Sequence, residues 1–144
     1  MELSPSQAFA LDDIVEKRKS GFLSGAGGTG KSFMIEQIVT LLQDKKVCTC
    51  LTATTGIAAV IIGGVTLHSK FRLLPDEKDA KQCVKRVKDN SKFADELASI
   101  QCLIVDEVSI VLFSLETITS ILTHIPLFCR YPCWMWTRLR RWMP

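Results

Sequence analysis

The chain has 144 residues, enough for one domain with a real core, and 47% of them are hydrophobic, which excludes wholesale disorder. Its formal net charge of +3 is a local effect: residues 126–144 hold Arg130, Arg138, Arg140 and Arg141 and no acid, and the rest carries 14 basic and 15 acidic residues. Global charge therefore gives no reason to expect a nucleic-acid partner, and any such reason must come from local motifs.

In chain order, Leu3-Ser-Pro-Ser-Gln7 opens the sequence with an N-cap serine, a proline at the first helical position and a glutamine completing a capping box. A helix is expected to about Lys19, with Ala8, Leu11 and Val15 inward. Gly21–Ser24 reads as a buried strand. Residues Gly25 to Ser32, Gly-Ala-Gly-Gly-Thr-Gly-Lys-Ser, form G-x-x-x-x-G-K-[ST], the phosphate-binding loop. Gly25, Gly27, Gly28 and Gly30 let backbone N–H groups converge on phosphate oxygens around Thr29. The helix that follows, to about Gln43 with Met34, Ile38, Leu41 and Leu42 on one stripe, aims its positive end at the same anion. Lys31 supplies an ammonium for the β- and γ-phosphates of ATP, and Ser32 a hydroxyl for Mg²⁺.

Val47–Leu51 reads as a second strand and Thr54–Ile62 as a short helix broken by Gly63-Gly64. Small side chains and hydroxyls at Thr54, Thr55, Gly56 and Thr66 suit close approach to nucleic-acid phosphates, or equally the capping of helices. Residues 76–92 are charged and mixed, a solvated helix or loop. Ile100–Val105 is a third strand, ending in Asp106 and Glu107. Behind a phosphate loop, Asp106 belongs on the metal and Glu107 on the attacking water as general base. Phe113–Thr123 reads as a helix. Strands alternating with helices imply an α/β fold with a parallel sheet covered on both faces.

The six cysteines form no disulfide pattern. Cys48 and Cys102 read as small buried hydrophobes, and a reducing, intracellular compartment is expected. His124, Cys129 and Cys133 lack a fourth zinc ligand, so no zinc is expected. Ile110–Cys129 is long and apolar but interrupted by Glu116, His124 and Pro126, so a buried helix is favoured over a membrane span. The last 19 residues hold all three tryptophans and the only tyrosine with no visible period, and are expected to lie outside the fold.

Taken together, Leu3–Gln7, Gly25–Ser32, Thr52–Ala59, Gly63–Ser69 and Asp106–Ile110 resemble, in order, five motifs of the Pif-one family of superfamily-one DNA helicases, relatives of RecD. The resemblance implies a phosphate-loop, RecA-like domain over residues 1–125, C-terminally incomplete, with 126–144 as a tail. It implies ATP-dependent 5′-to-3′ DNA unwinding in repair, recombination or telomere maintenance, in the nucleus or mitochondrion of a eukaryote. Gln7 would read adenine, and Thr54, Thr55, Gly56, Thr66 and His68 would lie on single-stranded DNA. Ile110 replaces the usual Met. The family's G-D-x-x-Q-L-P-P strand and its second motor domain, needed for unwinding and the source of an arginine finger, have no counterpart in the sequence. The alternatives are an inert ATP- or DNA-binding fragment and a small phosphate-loop kinase, against which the Thr52–Ala59 and Gly63–Ser69 blocks argue.

Overall fold

The computed structural model describes residues 3–74, 80–107, 119–121 and 133–139, with Ala80 and 133–139 described as backbone. Helix α1 (Pro5–Leu11) begins at Ser4 with the expected capping box: Gln7 N–H donates to Ser4 Oγ at 3.3 Å, and Ser4 N–H donates to Gln7 Oε1 at 2.9 Å. A π-helical turn at Asp12–Glu16 continues it. The wider turn places Ile14 and Val15 in the core, while Ala8, expected inward, is exposed.

Five parallel strands follow: β1 (Gly21–Gly25), β2 (Thr49–Ala53), β3 (Val65–Thr66), β4 (Cys102–Asp106) and β5 (Cys133–Leu139), in the sheet order β1-β5-β4-β2-β3. The helices between them are α2 (Lys31–Asp44), α3 (Gly56–Ile61), α4 (Leu67–Phe71), α5 (Ala80–Asp89) and α6 (Ser91–Ala98). Strand β4 shows why the sheet is covered twice. Its Leu103 and Val105 enter one core with Leu67, Phe71, Val87, Phe93 and Leu97 from α4, α5 and α6. Its Cys102 and Ile104 enter the other with Ile14, Val15, Met34, Ile35, Ile38 and Leu42.

Within the stretch 126–144, expected outside the fold, residues 133–139 form strand β5 of the sheet. Residues 133–139 lie between the phosphate-loop strand and the Asp106 strand, with Phe22 and Val105 both in register with Trp136. Inner strands of parallel sheets commonly read as apolar runs, and 133–136 is Cys-Trp-Met-Trp, with no period of two to reveal it. The edge of β4 facing β1 is accordingly paired.

Three smaller expectations change. Leu41 is partly exposed, because the buried stripe of α2 runs through Met34, Ile35, Ile38 and Leu42. Cys48 is exposed, because it precedes β2, and its N–H is held by the Gln101 side chain at 2.9 Å. Residues 80–89 are a helix that buries Cys83, Val84 and Val87. The ion pair Lys70–Glu96 (2.6 Å) and Arg72 stacked 4.0 Å from the Phe93 ring centre tie α4 to α6. The hydrogen bond from Lys70 holds the Glu96 carboxyl below its ordinary pKa. The helix expected over Phe113–Thr123 lies outside the described residues except for 119–121, and so do Ile110, His124, Cys129 and residues 126–132 and 140–144.

Candidate functional site

The site is built at the carboxyl ends of β1 and β4. One strand separates them, so their axes lie about 10 Å apart. In open parallel sheets this edge is where ligands collect, because loop and helix N-termini converge there.

After β1 the chain turns through Ala26–Gly30 with Gly28 at φ 78° and Gly30 at φ 83°, a left-handed pair that only glycine adopts readily. Gly30 caps α2 without any side-chain bond, so the first-turn N–H groups stay turned toward the loop. Thr29 braces the turn by donating from Oγ1 to the Ala26 carbonyl at 2.9 Å, and a Cβ added at Gly25 would stand 2.6 Å from that same Oγ1. The Lys31 ammonium folds back into the concavity and donates to the carbonyls of Gly25 (2.9 Å) and Ala26 (2.7 Å). A cation held, among the described residues, by neutral carbonyls alone is ready to exchange them for an anion. Gln7 reaches the loop as well: a Cβ at Gly30 would sit 3.4 Å from its Nε2. Its Oε1 serves the capping box, while its amide nitrogen lies on the loop side, so the capping use is realised through one atom and the other is left over. Ser32 lines a cleft of about 520 Å³ between α2 and α3, with Phe33, Glu36, Val60 and Ile61.

At the end of β4, Asp106 Oδ1 accepts the N–H of Glu107 at 2.9 Å. Glu107 takes φ 57°, an uncommon left-handed conformation for a glutamate and one found preferentially at functional sites. It is pinned by the segment after β2. Thr54 N–H donates to the Asp106 carbonyl (3.2 Å), Thr54 Oγ1 to the Glu107 carbonyl (2.8 Å), and Thr55 Oγ1 to Glu107 Oε2 (3.3 Å). Sequence reasoning missed this contact, since the partners stand 52 and 53 residues apart.

The structure thus brings Gln7, Gly25, Gly27, Gly28, Thr29, Gly30, Lys31 and Ser32 to one loop and helix start, and Asp106, Glu107, Thr54, Thr55 and Gly56 to one junction. Thr55 and Thr66 also cap helices: their hydroxyls accept the N–H groups of Ala58 and Ser69, both at 3.2 Å. Capping and ligand contact were alternatives in the sequence, and the capping half is realised. His68 lies in the last turn of α4. Ser32 and Asp106 offer only hard oxygen donors, which fit Mg²⁺ shared with phosphates rather than a closed protein cage. Among the described residues no group of three His, Cys, Asp or Glu is placed to hold a metal alone. Nor is any helix among them long and apolar enough to cross a membrane.

A model of the PIF1-like helicase family matches residues 2–125. The chain belongs to that family. Among PIF1-like relatives, the ATP-dependent DNA helicase Pif1 of Bdellovibrio bacteriovorus is 38% identical over 111 residues, covering 77% of this chain and 25% of the relative. The crystal structure of Pif1 helicase from Candida albicans superposes with a TM-score of 0.80 at 28% identity, covering 96% of this chain and 32% of that one. The Bacteroides Pif1 helicase in complex with ADP-AlF3 and ssDNA gives a TM-score of 0.73 at 25% identity, covering 100% and 34%. The chain therefore spans about a quarter to a third of these three proteins, and 15% of the ATP-dependent DNA helicase PIF1 of Emericella nidulans.

Proposed function

We propose that this chain is the ATP-binding motor domain of an ATP-dependent 5′-to-3′ DNA helicase. The observation that carries the reading is the pairing of the Gly25–Ser32 loop with Asp106 and Glu107 at the same edge of one parallel sheet, in a chain of the PIF1-like family. In this reading the loop N–H groups and the start of α2 bind the triphosphate of ATP, and Lys31 leaves the Gly25 and Ala26 carbonyls for the β- and γ-phosphates. Gln7 contacts the base. Ser32 and Asp106 would hold Mg²⁺, which would supply charge neutralisation for phosphoryl transfer. Glu107 takes the proton of the attacking water.

Single-stranded DNA is the proposed second ligand, carried by Thr54, Thr55, Gly56, Thr66 and His68. The Bacteroides Pif1 helicase, a relative of the same fold, forms a complex with ADP-AlF3 and ssDNA together, which supports this reading. The test is phosphate release with and without a single-stranded oligonucleotide, on wild type and Glu107→Gln. ATP binding kept but turnover lost in Glu107→Gln is the expected result. Equal turnover in the two proteins would remove Glu107 from the mechanism.

A further inference from the structure

We propose that Thr54 and Thr55 form a latch that parks Glu107, so that a ligand bearing on α3 controls the general base. The proposal rests on the functional reading above and deepens it: the same threonines expected on the DNA strand hold the residue expected to activate water.

The latch has a defined direction. A threonine hydroxyl has a single proton and two acceptor sites. Ala58 N–H fills an acceptor site of Thr55 Oγ1, so the proton is aimed at Glu107 Oε2. Thr54 holds the other end of the same residue through its carbonyl, and holds Asp106 through its own N–H. Three bonds thus join the loop after β2 to the loop after β4, and they hold Glu107 at a backbone conformation it would not otherwise favour. The latch therefore fixes where the Glu107 carboxylate points, with Oε2 3.3 Å from Thr55 Oγ1.

The latch is also attached to a surface. Thr55 is the N-cap of α3, a helix of six residues, so the helix and the hydroxyl move as one piece. Beyond the cap, α3 turns Ile57 (78% exposed), Val60 (80%) and Ile61 (72%) outward, beside the cleft that Ser32 lines. A strand pressing on α3 draws Thr55 from Glu107. The freed carboxylate then accepts the water proton as the water oxygen bonds the terminal phosphorus and the bond to the bridging oxygen breaks.

The experiment compares wild type with Thr55→Val, Thr55→Gly and Thr55→Ser in single-turnover ATP hydrolysis, with and without a thymidine oligonucleotide. Valine removes the donor. Glycine keeps most of the α3 cap but has no hydroxyl to donate to Glu107, which separates the latch from helix stability. Serine preserves both. Without oligonucleotide, the valine and glycine variants should hydrolyse faster than wild type, by about tenfold, the lower end for one hydrogen bond to a charged group. The oligonucleotide should accelerate wild type and Thr55→Ser but leave the other two nearly unchanged. Binding gives a second readout: the oligonucleotide should shift wild-type affinity for a non-hydrolysable ATP analogue, and that shift should vanish in Thr55→Gly. If wild type binds nucleotide and responds to the oligonucleotide while Thr55→Gly behaves identically, the latch is overturned and the functional reading stands. If wild type binds no nucleotide, both are overturned.

Discussion

Phe22 of β1 stands directly opposite Trp136 of β5, and β5 is the only strand that β1 touches in the described sheet. The phosphate loop grows from β1, and the acids grow from β4. The spacing between them is therefore set by residues 133–139. Replacing Met135, in register with both Gly21 and Ile104, by proline removes a ladder donor in the middle of the sheet. The expected loss is about 1–3 kcal/mol in urea unfolding, together with weaker nucleotide binding. Ending the chain at residue 125 should be worse, because β1 loses its partner altogether. Limited proteolysis with mass mapping checks the same point: 133–139 should be protected in the folded chain, and cleavage within it under native conditions would contradict the sheet order.

This strand also marks where the sequence stopped being legible. The loop, its helix and the Asp106 strand were readable because their signals are local: glycine spacing, a helical stripe, an apolar run ending in acids. The two-faced burial of β4 removes the alternation that reveals half-buried strands. In β4 the adjacent acids supplied a second signal, whereas in β5 the run Cys-Trp-Met-Trp is followed by Thr-Arg-Leu and resembled no expected motif. The left-handed Glu107 and its bonds from Thr54 and Thr55 were illegible for a different reason, since they depend on β2 and β4 being neighbours.

Lys31→Ala should weaken ATP binding without unfolding the chain. Among the described residues the ammonium contacts only the Gly25 and Ala26 carbonyls of its own loop, so no link between elements is lost with it. Loss of one charge-assisted phosphate contact, about 1.5–3 kcal/mol, corresponds to roughly 10- to 100-fold in affinity. Fluorescent-nucleotide titration of both proteins measures it, and equal affinities would remove Lys31 from the site.

Gly64→Ala should be among the most damaging single-methyl additions. The added Cβ would stand 2.4 Å from the Leu51 carbonyl oxygen and 2.9 Å from its carbon, both backbone atoms of β2 that cannot rotate away. Relief requires moving β3 off β2, at about 1–3 kcal/mol. Gly27→Ala is the control, since a Cβ there meets nothing within 4 Å. Chemical denaturation should separate the two; similar midpoints would mean that β3 shifts freely.

Thiol alkylation should read the burial of β2 and β4 directly. Cys48 is exposed, while Cys50, Cys83 and Cys102 are buried. Burial pushes the Cys50 thiol up to about 11, so at neutral pH it stays protonated and unreactive as well as covered. Its folded pKa lies above the ordinary value of 9.0. The protonated thiol therefore favours the folded state fully below about pH 9, and that contribution fades as pH rises toward 11. Iodoacetamide at about pH 8 with peptide mapping should label Cys48 first and reach Cys50 only after denaturant is added. Raising the pH from about 8 to about 10 should increase Cys50 labelling far less than in a denatured control. Equal labelling of Cys48 and Cys50 in the native chain would mean that β2 opens on the timescale of the reaction, and that Thr52 to Thr55, carried on the same strand and its exit, are not held against β4 as described.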